Sequence, residues 1–354
     1  MRAGPTNSLV DVAGLRVGHA HRVGGGHRTG TTVVLAPADG AVAGVDVRGA
    51  APGTRETQLL DPRNLVERVH AVVLSGGSAY GLGAACGVMD RLADAGVGYP
   101  VAGGVVPIVP AAVIFDLGRG GTFRAVPDAA LGSAAYDAAH DASYNASYDA
   151  ALLPETAPPS AQGTATPDGE VRSSPPVSRR TAPPTASGSI GAGTGAMAGG
   201  LAGGVGTASV ILPDGTLAGA RYGLPGEFAH LRTPTPQEVE AWNPDKTPSF
   251  NTTIGVVATD LTLTKAQCGK LAAVAHDGLA RAVRPAHTMT DGDTIFALAT
   301  CARTAPAHDT LQDALAAAAD VFSRAIAHAV LAATGREGAP AYLDVFPSAT
   351  GRRS

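Results

Sequence analysis

Residues 252–259 have the sequence TTIGVVAT, and the two residues before them are Phe250 and Asn251. Threonine, isoleucine and valine, which are β-branched, fill most of this stretch. A short apolar run of this composition is typical of a buried strand. The stretch therefore predicts a strand in the core, with Thr252 at its beginning.

Similar patterns along the chain predict the elements around this strand. Short apolar runs predict further strands at residues 31–35, 71–74, 111–115 and 208–212. Apolar residues that recur at three- and four-residue spacing predict helices at residues 82–95, 265–283 and 310–334. The order is β, α, β, then β, β, α, α, and it predicts an α/β layered sandwich.

Composition excludes several classes of function. The chain has 354 residues, of which 45% are hydrophobic and 16% charged, so it can bury a large core. A net charge of −4 leaves no basic surplus for phosphates, and we expect no nucleic-acid partner. No apolar run reaches about 18 residues, which predicts no membrane span. Without a signal-peptide pattern, and with 3 widely spaced cysteines, we expect a cytoplasmic enzyme with reduced thiols.

Residues 134–187 differ in character from the rest of the chain. They contain the near-repeat ASYN and ASYD, followed by a stretch dense in Pro, Ser, Thr and Ala. Such a segment cannot bury enough apolar surface to offset the entropy lost on ordering. We therefore expect a flexible surface insertion at 134–187.

Thr252 is a candidate nucleophile. A threonine hydroxyl needs a neighbouring base, and a free α-amine with a pKa of about 7.7 to 8.0 can be that base. An internal threonine gains such an amine only if the bond before it, here Asn251–Thr252, is cleaved. Two ordinary interpretations stay open: Thr252 as a plain strand residue, and Asn251-Thr252-Thr253 as a glycosylation sequon.

Two further motifs have a possible catalytic use. Asp291 and Asp293 flank Gly292, so their carboxylates can orient an amine or relay a proton. The alternative is a solvated turn. Gly76, Gly77 and Ser78 lie between a predicted strand and a predicted helix, where backbone amides can hold a substrate carbonyl.

The alternatives for the second motif are structural or of another enzyme class. Tight strand-to-helix packing explains Gly76 and Gly77 equally well. Ser78 nearly fits the nucleophile elbow of α/β-hydrolases, but Tyr80 stands where the closing glycine belongs. His19 and His21 are read as structural residues rather than metal ligands.

Ordered motifs over nearly the whole chain resemble those of one known family. They are residues 9–19, 29–33, 46–57, 70–82, 109–116, 191–196, 251–260, 284–288 and 291–294. Together they are similar to the DmpA-like family of L-aminopeptidase/D-amidase-esterases, whose relatives include β-aminopeptidases and nylon-oligomer hydrolases.

This resemblance implies a fold and a mechanism. The expected fold is a four-layer αββα sandwich of the DmpA/ornithine-acetyltransferase type. A single peptidase domain, 1–354, is expected to cut itself into residues 1–251 and 252–354. Thr252 is then the nucleophile, and Asp291 and Asp293 complete the catalytic set. The resemblance implies no metal or organic cofactor, substrates that are small peptides, amides or esters, and a homo-oligomer, a tetramer of the cut units.

The sequence departs from the family pattern at three places near the expected oxyanion site. No asparagine occurs in residues 217–224, Ala202 replaces a frequent lysine, and Phe115 replaces the tyrosine of some members. We take Phe115, with Gly76, Gly77 and Ser78, as candidates for the substrate and oxyanion region. An acyltransferase similar to ornithine acetyltransferase, and an inactive unprocessed binding protein, are the alternative functions.

Overall fold

Two β-sheets form the centre of the molecule. The computed structural model describes residues 2–141, 178–183, 185–216, 224, 226–244 and 250–350. The strands are β1 Arg16–Gly24, β2 His27–Leu35, β3 Ala41–Val47, β4 Thr54–Arg55, β5 Arg68–Val69, β6 Ala71–Ser75, β7 Tyr99–Val101, β8 Gly104–Val106, β9 Ala111–Val113, β10 Ser178–Ala182, β11 Met197–Ala198, β12 Leu201–Ala202, β13 Ile254–Thr259 and β14 Thr294–Ala299. The helices are α1 Ala84–Asp94, α2 Ala129–His140, α3 Pro236–Ala241, α4 Lys265–Ala282, α5 His308–Leu331 and α6 Tyr342–Val345.

The larger sheet has six strands in the order β10-β1-β2-β6-β9-β4, and the smaller has four in the order β13-β14-β3-β5. Strands β7 and β8, and strands β11 and β12, form two separate two-stranded sheets. In the smaller sheet β13 and β14 are parallel, with Ile254 opposite Thr294. Strand β14 also pairs with β3 in antiparallel fashion, with Thr294 opposite Val47. Thus β14 is an interior strand, bonded on both sides.

The two sheets pack face to face, and helices cover their other faces. Strand β14 shows this best, because successive side chains of a strand point to opposite faces. Phe296 and Leu298 lie in the core between the sheets, whereas Ile295, Ala297 and Ala299 pack against α4 and α5. The other face of the larger sheet packs against α1 and α2. The predicted α/β layering is therefore observed.

Helix α5 needs separate mention because, among the described residues, it is long and apolar enough to cross a membrane by length and composition alone. Its buried residues Ala314, Ala318 and Phe322 lie in the core with α4 and strands β13 and β14. A helix buried in a core meets the same two criteria, and the packing of α5 is that of a core helix.

Most predicted elements coincide with observed ones, but residues 208–212 form no strand. Ile211 makes only an isolated bridge with Arg2. Ala208, Val210 and Leu212 are buried all the same. An apolar run therefore indicates that a segment is buried. To form a strand it must also pair along its length with a neighbouring segment, and residues 208–212 make only the one bridge to Arg2.

The predicted surface insertion at 134–187 is wrong at both ends. Residues 134–140 belong to α2, where Ala135, Tyr136 and Ala139 are buried. Strand β10 pairs with β1, with Ser178 opposite Val23. A helix rich in alanine and capped by the Asp128 side chain needs few large apolar residues to pack closely. Residues 142–177 lie outside the described residues.

Helices α4 and α5 approach each other closely at one glycine, which gives a stability prediction. A Cβ atom on Gly278 would lie 1.9 Å from the Ala319 carbonyl oxygen of α5, whereas one on Gly269, also in α4, would meet nothing within 4 Å. We expect Gly278→Ala to destabilise the protein by about 1–3 kcal/mol or more through overpacking. Gly269→Ala is the matched control and should stabilise it by about 0.5–1 kcal/mol. Thermal unfolding midpoints measure both, and equal midpoints would contradict the close approach.

Candidate active site

Thr252 and the Asp291-Gly292-Asp293 segment meet at one edge of the smaller sheet. Strands β13 and β14 are parallel neighbours, so the residues that precede them lie side by side. The Thr294 amide donates to the Thr253 carbonyl at 3.1 Å, and the Gly292 amide donates to Thr252 Oγ1 at 3.2 Å. The structure thus brings together the three residues that the sequence proposes as catalytic.

Asp293 is held by three N–H groups. It is 2% exposed, and its Oδ1 accepts a hydrogen bond from the Thr253 amide at 2.8 Å. Its Oδ2 accepts from the His287 amide at 3.0 Å and from His287 Nδ1 at 2.9 Å. Burying a carboxylate is costly unless donors replace its water shell, and these three donors do so. Asp293 is therefore fixed in place next to the residue that follows Thr252.

Asp291 is half-buried and stabilises the turn itself. Its Oδ2 accepts from the Thr288 amide at 2.6 Å, and its backbone carbonyl accepts from the Ala51 amide at 2.8 Å. Gly49 lies against the same turn: a Cβ atom there would be 2.3 Å from the Asp293 nitrogen. Only glycine fits at position 49, so residues 48–51, which lie within the family motif 46–57, support the site.

The amides of Gly76, Gly77 and Ser78 are already bonded within the protein. They donate to Gly30 O at 2.9 Å, to Asp116 Oδ1 at 2.6 Å and to Ile114 O at 2.9 Å, in that order. These three amides therefore have partners within the protein, and their binding of a substrate carbonyl stays a prediction. Among the described residues no histidine or carboxylate hydrogen-bonds the Ser78 hydroxyl, so the nucleophile-elbow alternative gains no support.

Phe115 contacts the segment that precedes Thr252. Its ring centroid is 5.2 Å from that of Phe250. Arg119 Nη2 donates to the Phe250 carbonyl at 3.3 Å, and Arg119 Nη1 donates to the Gly195 carbonyl at 2.8 Å. Arg336 Nη2 bonds the Gly195 carbonyl as well, at 3.0 Å. The segment before the Asn251–Thr252 bond is therefore held in two ways, through the ring of Phe250 and through its backbone carbonyl.

Sequence reasoning missed Arg119 and Arg336. These residues lie 217 positions apart in the chain (336 minus 119) and both bond the Gly195 carbonyl, so no spacing pattern links them. Burial lowers the pKa of Arg336 to about 10, and the neighbouring charges of Arg28 and Arg119 act in the same direction. The one signal in the sequence was that residues 191–196 match the family pattern.

The positions at which the sequence departs from the family pattern lie in different parts of the structure. Ala202 is fully buried in β12, and its amide donates to the Pro340 carbonyl at 2.9 Å. Phe115 brings a ring rather than a hydroxyl to Phe250. Residues 217–223, where the family asparagine is expected, lie outside the described residues.

A cavity of about 230 Å³ lies beside Thr252. Its wall is mostly apolar and includes Thr252, Thr253, Met197, Phe322 and Ile326.

Metal binding has no candidate in the part of the chain that the structure describes. No group of three or more His, Cys, Asp or Glu residues there is arranged to hold an ion. His19, which the sequence left as structural, is buried with its Nδ1 3.0 Å from Thr32 Oγ1.

Asp116, a second buried carboxylate near the site, has a raised pKa. It is 3% exposed, and burial raises its pKa to about 6 although the Gly77 amide and the charge of Arg119 favour the ionised form. A pKa raised above the ordinary value of 3.8 means that the folded protein binds this proton more tightly than the unfolded chain. Stability conferred by this group is therefore lost as the pH rises through the interval from 3.8 to about 6.

This sign gives a pH prediction for Asp116→Asn. The variant cannot titrate at this position, and its amide oxygen can still accept from the Gly77 amide. The wild type loses stability in this pH range and the variant does not. We therefore expect the midpoint of the variant minus that of the wild type to increase between about pH 4 and about pH 6.5 and to stay constant at higher pH. Thermal unfolding across this pH range measures it. Asp90→Asn, at an exposed carboxylate, is the control, and parallel curves for all three proteins would contradict the assignment.

Comparison with known proteins is consistent with this geometry. The model of Peptidase family S58 matches residues 7–146 and 161–341. An uncharacterized aminopeptidase of Mycobacterium leprae is 44% identical over 393 aligned positions, which cover 99% of this chain and 97% of that protein. The 6-aminohexanoate-oligomer endohydrolase of Paenarthrobacter ureafaciens is 29% identical over 294 positions, with 82% and 74% covered.

Two solved structures have a similar fold. The β-aminopeptidase of Burkholderia sp. superposes with a TM-score of 0.64 at 22% identity and covers 99% of this chain and 96% of its own. The L-aminopeptidase D-Ala-esterase/amidase of Ochrobactrum anthropi, a variant of the Ntn-hydrolase fold, gives 0.61 at 21% identity, with 94% and 87% covered.

The family model and the named relatives define an enzyme class, and this chain is a hydrolase acting on peptide or amide bonds. It belongs to Peptidase family S58. The resemblance to DmpA-like aminopeptidases is thereby confirmed.

Proposed function

We propose that this protein is a self-processing aminopeptidase or amidase in which Thr252, freed by cleavage after Asn251, is the nucleophile. The observation that carries the proposal is the contact of Thr252 Oγ1 with the Gly292 amide, between the two aspartates. The arrangement of outer helices and inner sheets supports the four-layer αββα sandwich of the family. The substrates are small peptides, amides or esters.

The first reaction is the cleavage itself. Thr252 Oγ attacks the Asn251 carbonyl carbon, the C–N bond breaks, and the acyl group passes from nitrogen to oxygen as an ester. Water then hydrolyses the ester, which leaves a carboxylate on Asn251 and a free amine on Thr252. Arg119 supports this step because it holds the Phe250 carbonyl, one residue before the bond that breaks.

Turnover repeats the same chemistry on a substrate. The Thr252 amine takes the hydroxyl proton, Oγ attacks the substrate carbonyl, and the amine leaving group receives the proton. Water resolves the acyl-enzyme. Asp293, beside the Thr253 amide, and Asp291, before Gly292, orient the new amine and the hydroxyl.

We expect intact-mass analysis to find two fragments, residues 1–251 and 252–354. Thr252→Ala should stay uncut and inactive, because the acyl shift needs a hydroxyl. Thr252→Ser keeps the hydroxyl and should still cut, which makes it the matched control. Normal cutting of the alanine variant would show that an outside protease does the work and that Thr252 is not the nucleophile.

The aspartates should affect turnover more than the fold. We expect Asp293→Asn to lower kcat on one amide substrate by about 100-fold or more, the usual scale for a lost acid–base or orienting group. An asparagine at this position would offer a single acceptor oxygen to the donors of Thr253 and His287. We therefore also expect a loss in the free energy of unfolding, small beside the effect on kcat. Asp291→Asn should be somewhat less harmful, because only one of its oxygens is bonded to Thr288.

Rates in this comparison are normalised to the amount of cut protein, measured by intact mass. The exposed substitution Asp90→Asn is the control and should leave kcat unchanged. Equal normalised rates for the wild type and Asp293→Asn would remove the catalytic assignment of Asp293.

A further inference from the structure

His287 places two donors on a single carboxylate oxygen. Its backbone has φ 60°, the left-handed region that side-chain-bearing residues seldom adopt. In this conformation its amide and its Nδ1 both reach Asp293 Oδ2, at 3.0 and 2.9 Å. An ionised carboxylate only accepts hydrogen bonds, so Nδ1 carries the ring proton. His287 thus holds one oxygen of Asp293, while the Thr253 amide holds the other.

A buried histidine of α4 packs against the ring of His287. His276 of α4 is 0% exposed and packs edge-on against His287, with ring centroids 4.9 Å apart and planes at 70°. His276 Nε2 lies 3.0 Å from the Asp46 carbonyl oxygen, to which it donates. Burial lowers the pKa of His276, which favours the neutral ring. The support therefore runs from α4 through His276 and His287 to Asp293.

The same carboxylate holds the chain next to the nucleophile. Asp293 Oδ1 accepts from the Thr253 amide at 2.8 Å, so a rotation of the carboxylate moves the segment that starts with Thr252. Among the hydrogen bonds of the described residues, none joins His287 to Thr252. The side-chain and backbone hydrogen bonds that His287 makes towards the site both end on Asp293.

We propose that His287 is a positioning residue, which acts through Asp293 to orient Thr252 and its amine. The inference rests on the proposed function of Thr252 and Asp293. It differs from a role as general base, since the base is the terminal amine. It also differs from a purely structural role, because it needs a donor at the Nδ1 position and not merely a side chain of similar volume.

Three substitutions separate these roles. His287→Asn puts an amide nitrogen near the Nδ1 position and tolerates the left-handed backbone. His287→Gln puts it near the Nε2 position. His287→Gly keeps the backbone conformation and the main-chain bond to Asp293 but has no side-chain donor. Thermal midpoints check that each variant is folded.

The experiment measures kcat and KM on L-alanine p-nitroanilide, together with the rate at which the 252–354 fragment appears in the same proteins. We expect His287→Gly and His287→Gln to lose about 10-fold or more in kcat, as misplaced catalytic groups do. KM should change little, and His287→Asn should retain most of the activity. In an Asp293→Asn background, His287→Gly should cause no further loss, because the two changes act on one unit.

The outcomes that overturn the inference are distinct from those that overturn the proposed function. Equal kcat for the wild type and the Gly variant, equal losses in the Asn, Gln and Gly variants, or additive losses in the double variant would each reject the positioning role. A Thr252→Ala protein that still cuts and turns over would instead reject the proposed function, whatever the His287 variants show.

Discussion

The parallel pairing of β13 with β14 is the constraint on which the site depends. Because Ile254 lies opposite Thr294, the residues before both strands end at the same edge, with Thr252 beside Gly292. A shift of one residue would turn every side chain of β14 to the other face, so that Phe296 would leave the core between the sheets. The hydrophobic core of the four-stranded sheet thus fixes the register, and the register places Thr252, the proposed nucleophile, next to the aspartates. The register of β13 and β14 therefore determines both the packing of the core and the arrangement of the site.

Some of this arrangement can be predicted from the sequence and some cannot. The apolar run at residues 252–259 and the periodic helices are local signals, and they coincide with β13, α4 and α5. The nearness of Thr252 and Asp293 followed only from the family resemblance, because the residues lie 41 positions apart (293 minus 252) and meet through strand pairing. Strand β3, with the sequence AVAGVDV, has too few large apolar residues to stand out, and its place is determined by β14. The Gly77 amide donates to Asp116. Gly77 follows β6 and Asp116 follows β9, so no local pattern in the sequence indicates this bond.

Two buried aspartates near the site show how differently a protein can accommodate a carboxyl group. Asp293 and Asp116 are both almost inaccessible to water. Asp293 receives three N–H groups from Thr253 and His287, spread over both of its oxygens. Asp116 receives the Gly77 amide on one oxygen, and burial raises its pKa to about 6. The donors around Asp293 fix its orientation beside Thr253, whereas Asp116 keeps its proton up to a pH of about 6. Similar burial therefore accompanies a carboxylate held by several donors in one case and a carboxyl group with a raised pKa in the other.

The pairing of β14 with β3 has a consequence for the lifetime of the protein. Strand β3 lies in residues 1–251 and β14 in residues 252–354, and they are joined along their length. Lys265 adds hydrogen bonds to the carbonyls of Leu59, Asn64 and Val66 across the same division. The proposed cut after Asn251 would break neither set of bonds, so the two pieces would stay together while folded. Once unfolded they are two separate molecules, and their reassembly depends on concentration in a way that folding of the single chain does not. The rate of unfolding, rather than an equilibrium, then sets how long each cut molecule survives.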